Sequence, residues 1–82
     1  MNPCILSMDP GSDKCGYAII RYDFSIEDQG VVFLGDLSKV MKRLKVFQPE
    51  VIVLGKGTAS KVVADLLKDL SLGIEIRFGD EY

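Results

Sequence analysis

The sequence has no histidine, only two cysteines and three prolines, and no long apolar run. The missing histidine excludes Ser-His and Cys-His nucleophilic chemistry and any imidazole metal ligand. Catalysis by this chain must rest on carboxylates, lysines, hydroxyls or backbone groups. Two cysteines, Cys4 and Cys15, are too few for a disulfide framework and lack metal-finger spacing. Both sit beside apolar strand residues and read as small buried core thiols. No apolar stretch approaches the roughly 20 residues that span a bilayer, so no membrane partner is expected. The start, Met1-Asn2-Pro3-Cys4, has neither a basic region nor a cleavage signal, which favours a cytoplasmic location. An excess of positive charge is also lacking: the net charge is −2 and the pI about 4.9. This balance speaks against a strong nucleic-acid binder, although bound divalent cations would offset acidic site residues and a basic patch can exist on an acidic protein.

What the sequence does contain is an ordinary globular composition, 48% hydrophobic and 27% charged, over 82 residues. That length sets a limit of one domain, residues 1–82, with a small core. Ile5-Leu6-Ser7-Met8 forms a first apolar strand ending at Asp9, and Pro10-Gly11-Ser12-Asp13-Lys14 is turn chemistry. Gly16 to Tyr22 reads as a second strand, Asp23 to Gly30 as a polar loop and Val31 to Leu34 as a third strand, together a meander. Leu37, Val40, Met41, Leu44 and Phe47 then recur at three- and four-residue steps, which predicts a helix with Asp36 as N-cap and Pro49 beyond its end. Lys42, Arg43 and Lys45 form its wet face. Val51 to Leu54 does not alternate and reads as a strand covered on both faces. A second helix is expected after Thr58 as N-cap, with Ala59, Val62, Val63, Leu66, Leu67 and Leu70 inward and Gly73 closing it. Ile74, Ile76 and Phe78 alternate with Glu75 and Arg77 in a last strand.

The expected order is β-β-β-α-β-α-β. If the fourth strand lies beside the first and the fifth beside the fourth, both right-handed crossovers advance in one direction and both helices lie on the same face of a mixed sheet. The other face then has no cover within the chain. It cannot be wholly polar, because the first and fourth strands have apolar residues on both sides. A bare apolar face is costly, so either a further C-terminal segment or a second copy in a homodimer is expected to cover it.

In open α/β sheets, ligands bind outside the carboxyl ends of the strands where the order switches. In this arrangement those ends bring together Asp9, the Gly55-Lys56-Gly57-Thr58 loop and the Asp80-Glu81 pair. Without histidine, such carboxylates suit a hard divalent cation such as Mg²⁺. Two metals about 4 Å apart can activate water and stabilise a leaving phosphate oxygen. Each signal has a plain alternative. Asp-Pro-Gly is usually only a turn, and Asp80-Glu81 after a strand is most often a solvated acidic end. Lys56, Gly57 and Thr58 form either a tight strand-to-helix turn or an anion seat at a helix start. Lys14 and Lys61 either add positive charge nearby or simply aid solubility.

Ile5-Leu6-Ser7-Met8-Asp9-Pro10-Gly11-Ser12, followed by Cys15-Gly16-Tyr17-Ala18, resembles the opening of the RuvC-like resolvases. It is closer still to the YqgF type, Holliday-junction resolvases or pre-16S ribosomal RNA nucleases. Pro49 to Gly57 resembles the family's fourth strand and glycine loop, and Gly79-Asp80-Glu81 the start of its Asp-Glu-Arg-x-Ser/Thr motif. The resemblance implies a ribonuclease H-like α/β fold with a mixed sheet in strand order 3-2-1-4-5, and an Mg²⁺- or Mn²⁺-dependent phosphodiesterase acting on structured nucleic acid, branched DNA or precursor rRNA. It makes Asp9 the first catalytic, metal-binding carboxylate and Glu81 the second, with Asp80 beside it. Tyr82 stands where the motif has arginine. The following Ser/Thr, the C-terminal helix and the last acidic residue of the family have no counterpart. The resemblance therefore implies an N-terminal portion of a longer family domain, with an incomplete carboxylate set and no expected activity in isolation. Two other readings compete: a nucleotide-binding module of the actin, Hsp70 and sugar-kinase type, which this chain is too short to complete, and a non-catalytic interaction module acting through the bare face.

Overall fold

The computed structural model describes residues 3–57 and 59–79. Three consecutive strands open the fold: β1 (Cys4–Pro10), β2 (Lys14–Arg21) and β3 (Ile26–Phe33). A helix, α1 (Leu37–Leu44), leads to β4 (Val51–Leu54), and α2 (Ser60–Asp69) leads to β5 (Glu75–Phe78). Short 3₁₀ turns, Leu34–Asp36 and Lys45–Phe47, flank α1. The five strands form one mixed sheet in the order β3-β2-β1-β4-β5. β1 pairs antiparallel with β2 and β2 with β3, while β1–β4 and β4–β5 are parallel.

The pleat explains the core. Side chains alternate between the faces of a strand, and those of Cys4, Leu6 and Met8 on β1 are buried together with Cys15 and Ile19 on β2 and Ile52 and Leu54 on β4. The register lines these up across the sheet, Ile19 beside Leu6 and Leu6 beside Ile52. Leu37, Met41 and Leu44 of α1 and Val63, Ala64 and Leu67 of α2 join the same buried cluster. All buried sheet residues share one face, so both helices lie on it. Their four-residue and three-residue spacings are the stripe that an amphipathic helix presents to a core. Among the described residues, no helix is long and apolar enough to cross a membrane.

The opposite face carries Ile5 and Ser7 on β1, Ala18 and Ile20 on β2, and Val51 and Val53 on β4, all half-buried. Further out, Val31 is 64% and Phe33 61% exposed on β3. The apolar run Val51–Leu54, expected to be covered on both faces, is covered on one among the described residues: Ile52 and Leu54 are buried, and its two valines are half-buried beside the neighbouring strands.

Several local expectations are corrected. The segment expected as a loop, 23–30, is mostly strand, because β2 and β3 join through a tight turn. Asp23 accepts hydrogen bonds from the backbone N–H and hydroxyl of Ser25 at 2.9 and 2.6 Å, and Phe24 takes a left-handed φ of 71°. The side-chain cap makes this short turn possible where composition alone suggests a longer link. Asp36 occupies the N-cap position of α1 but makes no capping bond. The N-cap of α2 falls on Ala59, and Ser60 closes the turn by donating from its hydroxyl to the Gly57 carbonyl at 2.8 Å. Val62 and Leu66 point outward, 54% and 36% exposed, while Ala64 takes an inward place. The helix leaves through Ser71, left-handed at φ 52°, two residues before Gly73.

Candidate functional site at the carboxyl ends of the parallel strands

Asp9 lies near the end of β1, exposed, on the face that the helices leave open. β1 is the switch strand: an antiparallel neighbour lies on one side and a parallel one on the other. Its cross-strand partner on β2 is Gly16. On the other side Gly55 follows β4 and donates its N–H to the Met8 carbonyl at 2.9 Å. Both neighbours at the level of Asp9 therefore lack side chains. A Cβ placed on Gly16 would lie 3.8 Å from the Asp9 Cβ, and one on Gly55 would lie 3.8 Å from the Asp9 Oδ1. The carboxylate thus stands in a gap between two glycines. It has no side-chain hydrogen bond or ion pair among the described residues, which leaves its oxygens available.

A shallow hollow of about 390 Å³ opens beside it on the same face, lined by Ser7, Asp9, Gly16, Ala18, Gln29 and Val31 among others. Small residues in the middle of β1 and β2 create it. Gln29 enters the site only because β3 extends into the segment expected as a loop, so sequence patterning gave no signal for it. Gly16, expected at the start of the second strand, lies inside β2, where a glycine commonly marks close approach by another group.

The β1–β2 hairpin is held by the Gly11 N–H donating to the Lys14 carbonyl at 2.9 Å. Gly11 is required there: an added Cβ would come within 2.7 Å of that carbonyl oxygen. Lys14 begins β2, exposed, and by alternation shares the open face with Gly16. Gly11 and Ser12 meet Ala59 and Val62 around a smaller hollow of about 220 Å³. The hairpin and the start of α2 are therefore neighbours, with the exposed Lys56 and Gly57 in the connecting loop. Ser60 donates its N–H, as well as its hydroxyl, to the Gly57 carbonyl, so this loop works at least as a capping turn.

The Gly79 N–H donates to the Leu54 carbonyl at 3.0 Å. Gly79, Gly55 and Asp9 thus follow β5, β4 and the body of β1 along one edge. Thr58, Asp80 and Glu81 lie outside the described residues. Of the expected site, the structure brings together Asp9, Lys14, the loop at Lys56 and Gly57, and the chain up to Gly79. Among the described residues, no three metal-ligating side chains gather at one point.

Cys15 is buried on the helix-covered face beside Pro10. Burial pushes its thiol up to about 11, and burial also raises that of Cys4. Both are free and buried, so neither is a nucleophile at neutral pH. Away from this edge, Arg43 donates to Asp28 and to the Tyr17 hydroxyl, each at 2.7 Å, clipping α1 to β2 and β3. The sequence marked Arg43 only as a wet-face residue; a contact that depends on strand pairing leaves no local trace. No protein-family model matches this chain, and no curated protein matches it significantly.

Proposed function

We propose that this chain belongs to a ribonuclease H-like nuclease of the YqgF type and carries the first carboxylate of a divalent-cation site for phosphodiester hydrolysis on structured nucleic acid. The observation that supports this reading is the placement of Asp9: a carboxylate at the switch strand, flanked by Gly16 and Gly55 and without a side-chain partner among the described residues. The sheet order matches the one the resemblance implies.

The residues at this edge fit a hard cation. Mg²⁺ takes oxygen ligands, keeps several waters and is commonly held by one or two carboxylates plus substrate phosphates. Asp9 supplies one such ligand, and Glu81, with Asp80 beside it, is the proposed second. When bound, Mg²⁺ or Mn²⁺ polarises phosphate oxygens and lowers the pKa of a bound water. The chain's own part is to hold the Asp9 carboxylate on a rigid central strand, to leave room beside it through two glycines, and to offer positive charge through Lys14 and Lys56. Thr58 and Gly57 belong to the loop proposed to face a phosphate.

The test uses the protein made from its complete reading frame, incubated with Mg²⁺ or Mn²⁺ and either branched DNA or precursor 16S rRNA. Cleavage that disappears in Asp9→Asn, with the circular dichroism spectrum unchanged, is expected. Cleavage that survives the substitution, or no cleavage of either substrate, would refute the reading. Tight ATP binding without nucleic-acid binding would favour the actin-like alternative.

A further inference from the structure

We infer that the outer face of α1, with the turn that follows it, is a docking surface for the phosphate backbone of a nucleic-acid duplex, held through Lys39, Lys42 and Lys45. The reason begins with the distribution of charge. The stretch 37–47 holds four of the chain's ten lysines and arginines and no acidic residue, in a chain of net charge −2. Lys39, Lys42, Arg43 and Lys45 are all exposed. Arg43 is engaged by Asp28 and the Tyr17 hydroxyl. The three lysines have no ion pair among the described residues. The acidic residues nearest in sequence are Asp36, at the N-cap position, and Glu50, which accepts from the Tyr22 hydroxyl at 2.7 Å.

The other helix shows that this pattern is not a requirement of the fold. Both helices cover the same sheet face, yet α2 mixes its exposed charges: Lys61, Asp65, Lys68 and Asp69. Mixed signs are enough for solubility. In α1, Lys39 stands three residues from Lys42 and four from Arg43, and Lys42 stands three from Lys45. At these spacings side chains are neighbours and like charges repel. The helix dipole favours Lys42 and Arg43 in the last turn but opposes Lys39 in the first. An external polyanion relieves this repulsion, and no acidic side chain among the described residues does so for the three lysines.

The dimensions and the setting select a duplex. Lys39 to Lys45 spans roughly 9 Å at about 1.5 Å per residue. One strand of a duplex presents a charge about every 3.4 Å along its axis, so the three lysines reach two or three successive phosphates. The exposed residues here are Ser38, Lys39, Lys42, Arg43, Lys45 and Val46; none offers the aromatic ring on which an unpaired base stacks. A lipid surface is a poorer match, because a membrane-bound basic helix inserts its apolar side, and that of α1, Leu37, Met41 and Leu44, is buried in the core. Leu34 donates its N–H to the Asp13 carbonyl at 3.0 Å. The approach to α1 thus lies beside the β1–β2 hairpin, at the sheet edge where Asp9 stands. Backbone contacts of this kind fix the position of a nucleic acid without reading its sequence. The inference deepens the nuclease reading and rests on it in taking the bound duplex to be the substrate.

Fluorescence anisotropy with short labelled DNA and RNA duplexes tests it, on the purified chain in EDTA. Cleavage then plays no part, and a protein that binds but never cuts would refute the nuclease reading alone. Binding at low salt is expected, weakening as salt is added. Lys39→Gln combined with Lys42→Gln is expected to weaken it about tenfold and to lower the slope of log Kd against log salt by about two, with the circular dichroism spectrum unchanged. Lys68→Glu changes the net charge by the same amount on α2 and is expected to weaken binding less than about twofold, since it removes no phosphate contact. Should the double variant fail to fold, Lys42→Gln alone is expected to lower the slope by about one. Tighter binding of either duplex, or equal binding of both, supports the inference and states which nucleic acid this face accepts. No binding of either duplex at low salt, equal losses in the α1 and α2 variants, or phosphatidylserine vesicles bound as tightly as the duplexes would overturn it.

Discussion

The two faces of this sheet are made from the same strands and share almost nothing else. On one, Cys4, Leu6, Met8, Cys15, Ile19, Ile52 and Leu54 are sealed under two helices, and the buried set contains no polar or charged residue. On the other, apolar residues alternate with Ser7, Asp9, Gln29 and Lys14 and remain in contact with solvent. The closed face carries the stability, because apolar area removed from water is the dominant favourable contribution to folding. The open face carries the groups able to bind something. A one-residue shift of register would exchange the two, so the pairing of Leu6 with Ile19 and Ile52 also determines that Asp9 is exposed rather than buried.

The largest effect expected from this contrast is a pair of truncations on β1. Leu6→Ala should cost about 3 kcal/mol in urea denaturation, within the usual range for a buried leucine. Ile5→Ala, one residue away on the open face, should cost about 1 kcal/mol or less. Equal costs would break the comparison.

A second contrast concerns Cys15. Its thiol is raised from 9.0 to about 11 by burial. A raised folded-state value means that the neutral thiol is favoured in the folded protein, so its contribution is complete below pH 9. That contribution is lost as pH rises from 9 through about 11. The loss amounts to about 3 kcal/mol at most, at 1.36 kcal/mol per unit. Cys15→Ala should flatten this alkaline limb in denaturation curves recorded every half pH unit; an unchanged limb would place the thiol in contact with water.

Smaller effects sharpen the picture at the edges. Arg43→Ala removes the clip to Asp28 and Tyr17 and should lower the melting temperature by less than any core truncation, since exposed ion pairs contribute little. Asp23 is held below the ordinary carboxylate range by its hydrogen bonds from Ser25. Its contribution is therefore present above the unfolded value and fades as pH falls through the lowered folded one. Asp23→Ala should remove that acid-side component and slightly loosen the β2–β3 turn, seen as faster amide exchange at Ser25.

Much of this was legible from periodicity. The alternation of Cys4, Leu6 and Met8 and the helical spacing of Leu37, Met41 and Leu44 mark the core from the sequence alone, whereas the strand order rests on the family resemblance and not on periodicity. Contacts that depend on tertiary pairing were not legible. Asp28 and Gln29 look like loop residues until β3 is paired with β2. Val62 and Leu66 fit an inward helical stripe as well as Ala64 does, and the packing of α2 alone decides between them. Asp9 was marked by its place at the end of an apolar strand before Pro10-Gly11. Its neighbours Gly16 and Gly55 acquire meaning only from the register that puts them on either side of it.

The most direct test of the proposed cation site follows amide NMR signals while Mn²⁺ is added in small steps, since the paramagnetic ion broadens nuclei near where it binds. The expected result is early, selective broadening at Asp9, Gly16 and Gly55, absent in Asp9→Asn. Broadening spread evenly over the acidic surface, or unchanged by Asp9→Asn, would contradict the assignment of this edge as the site.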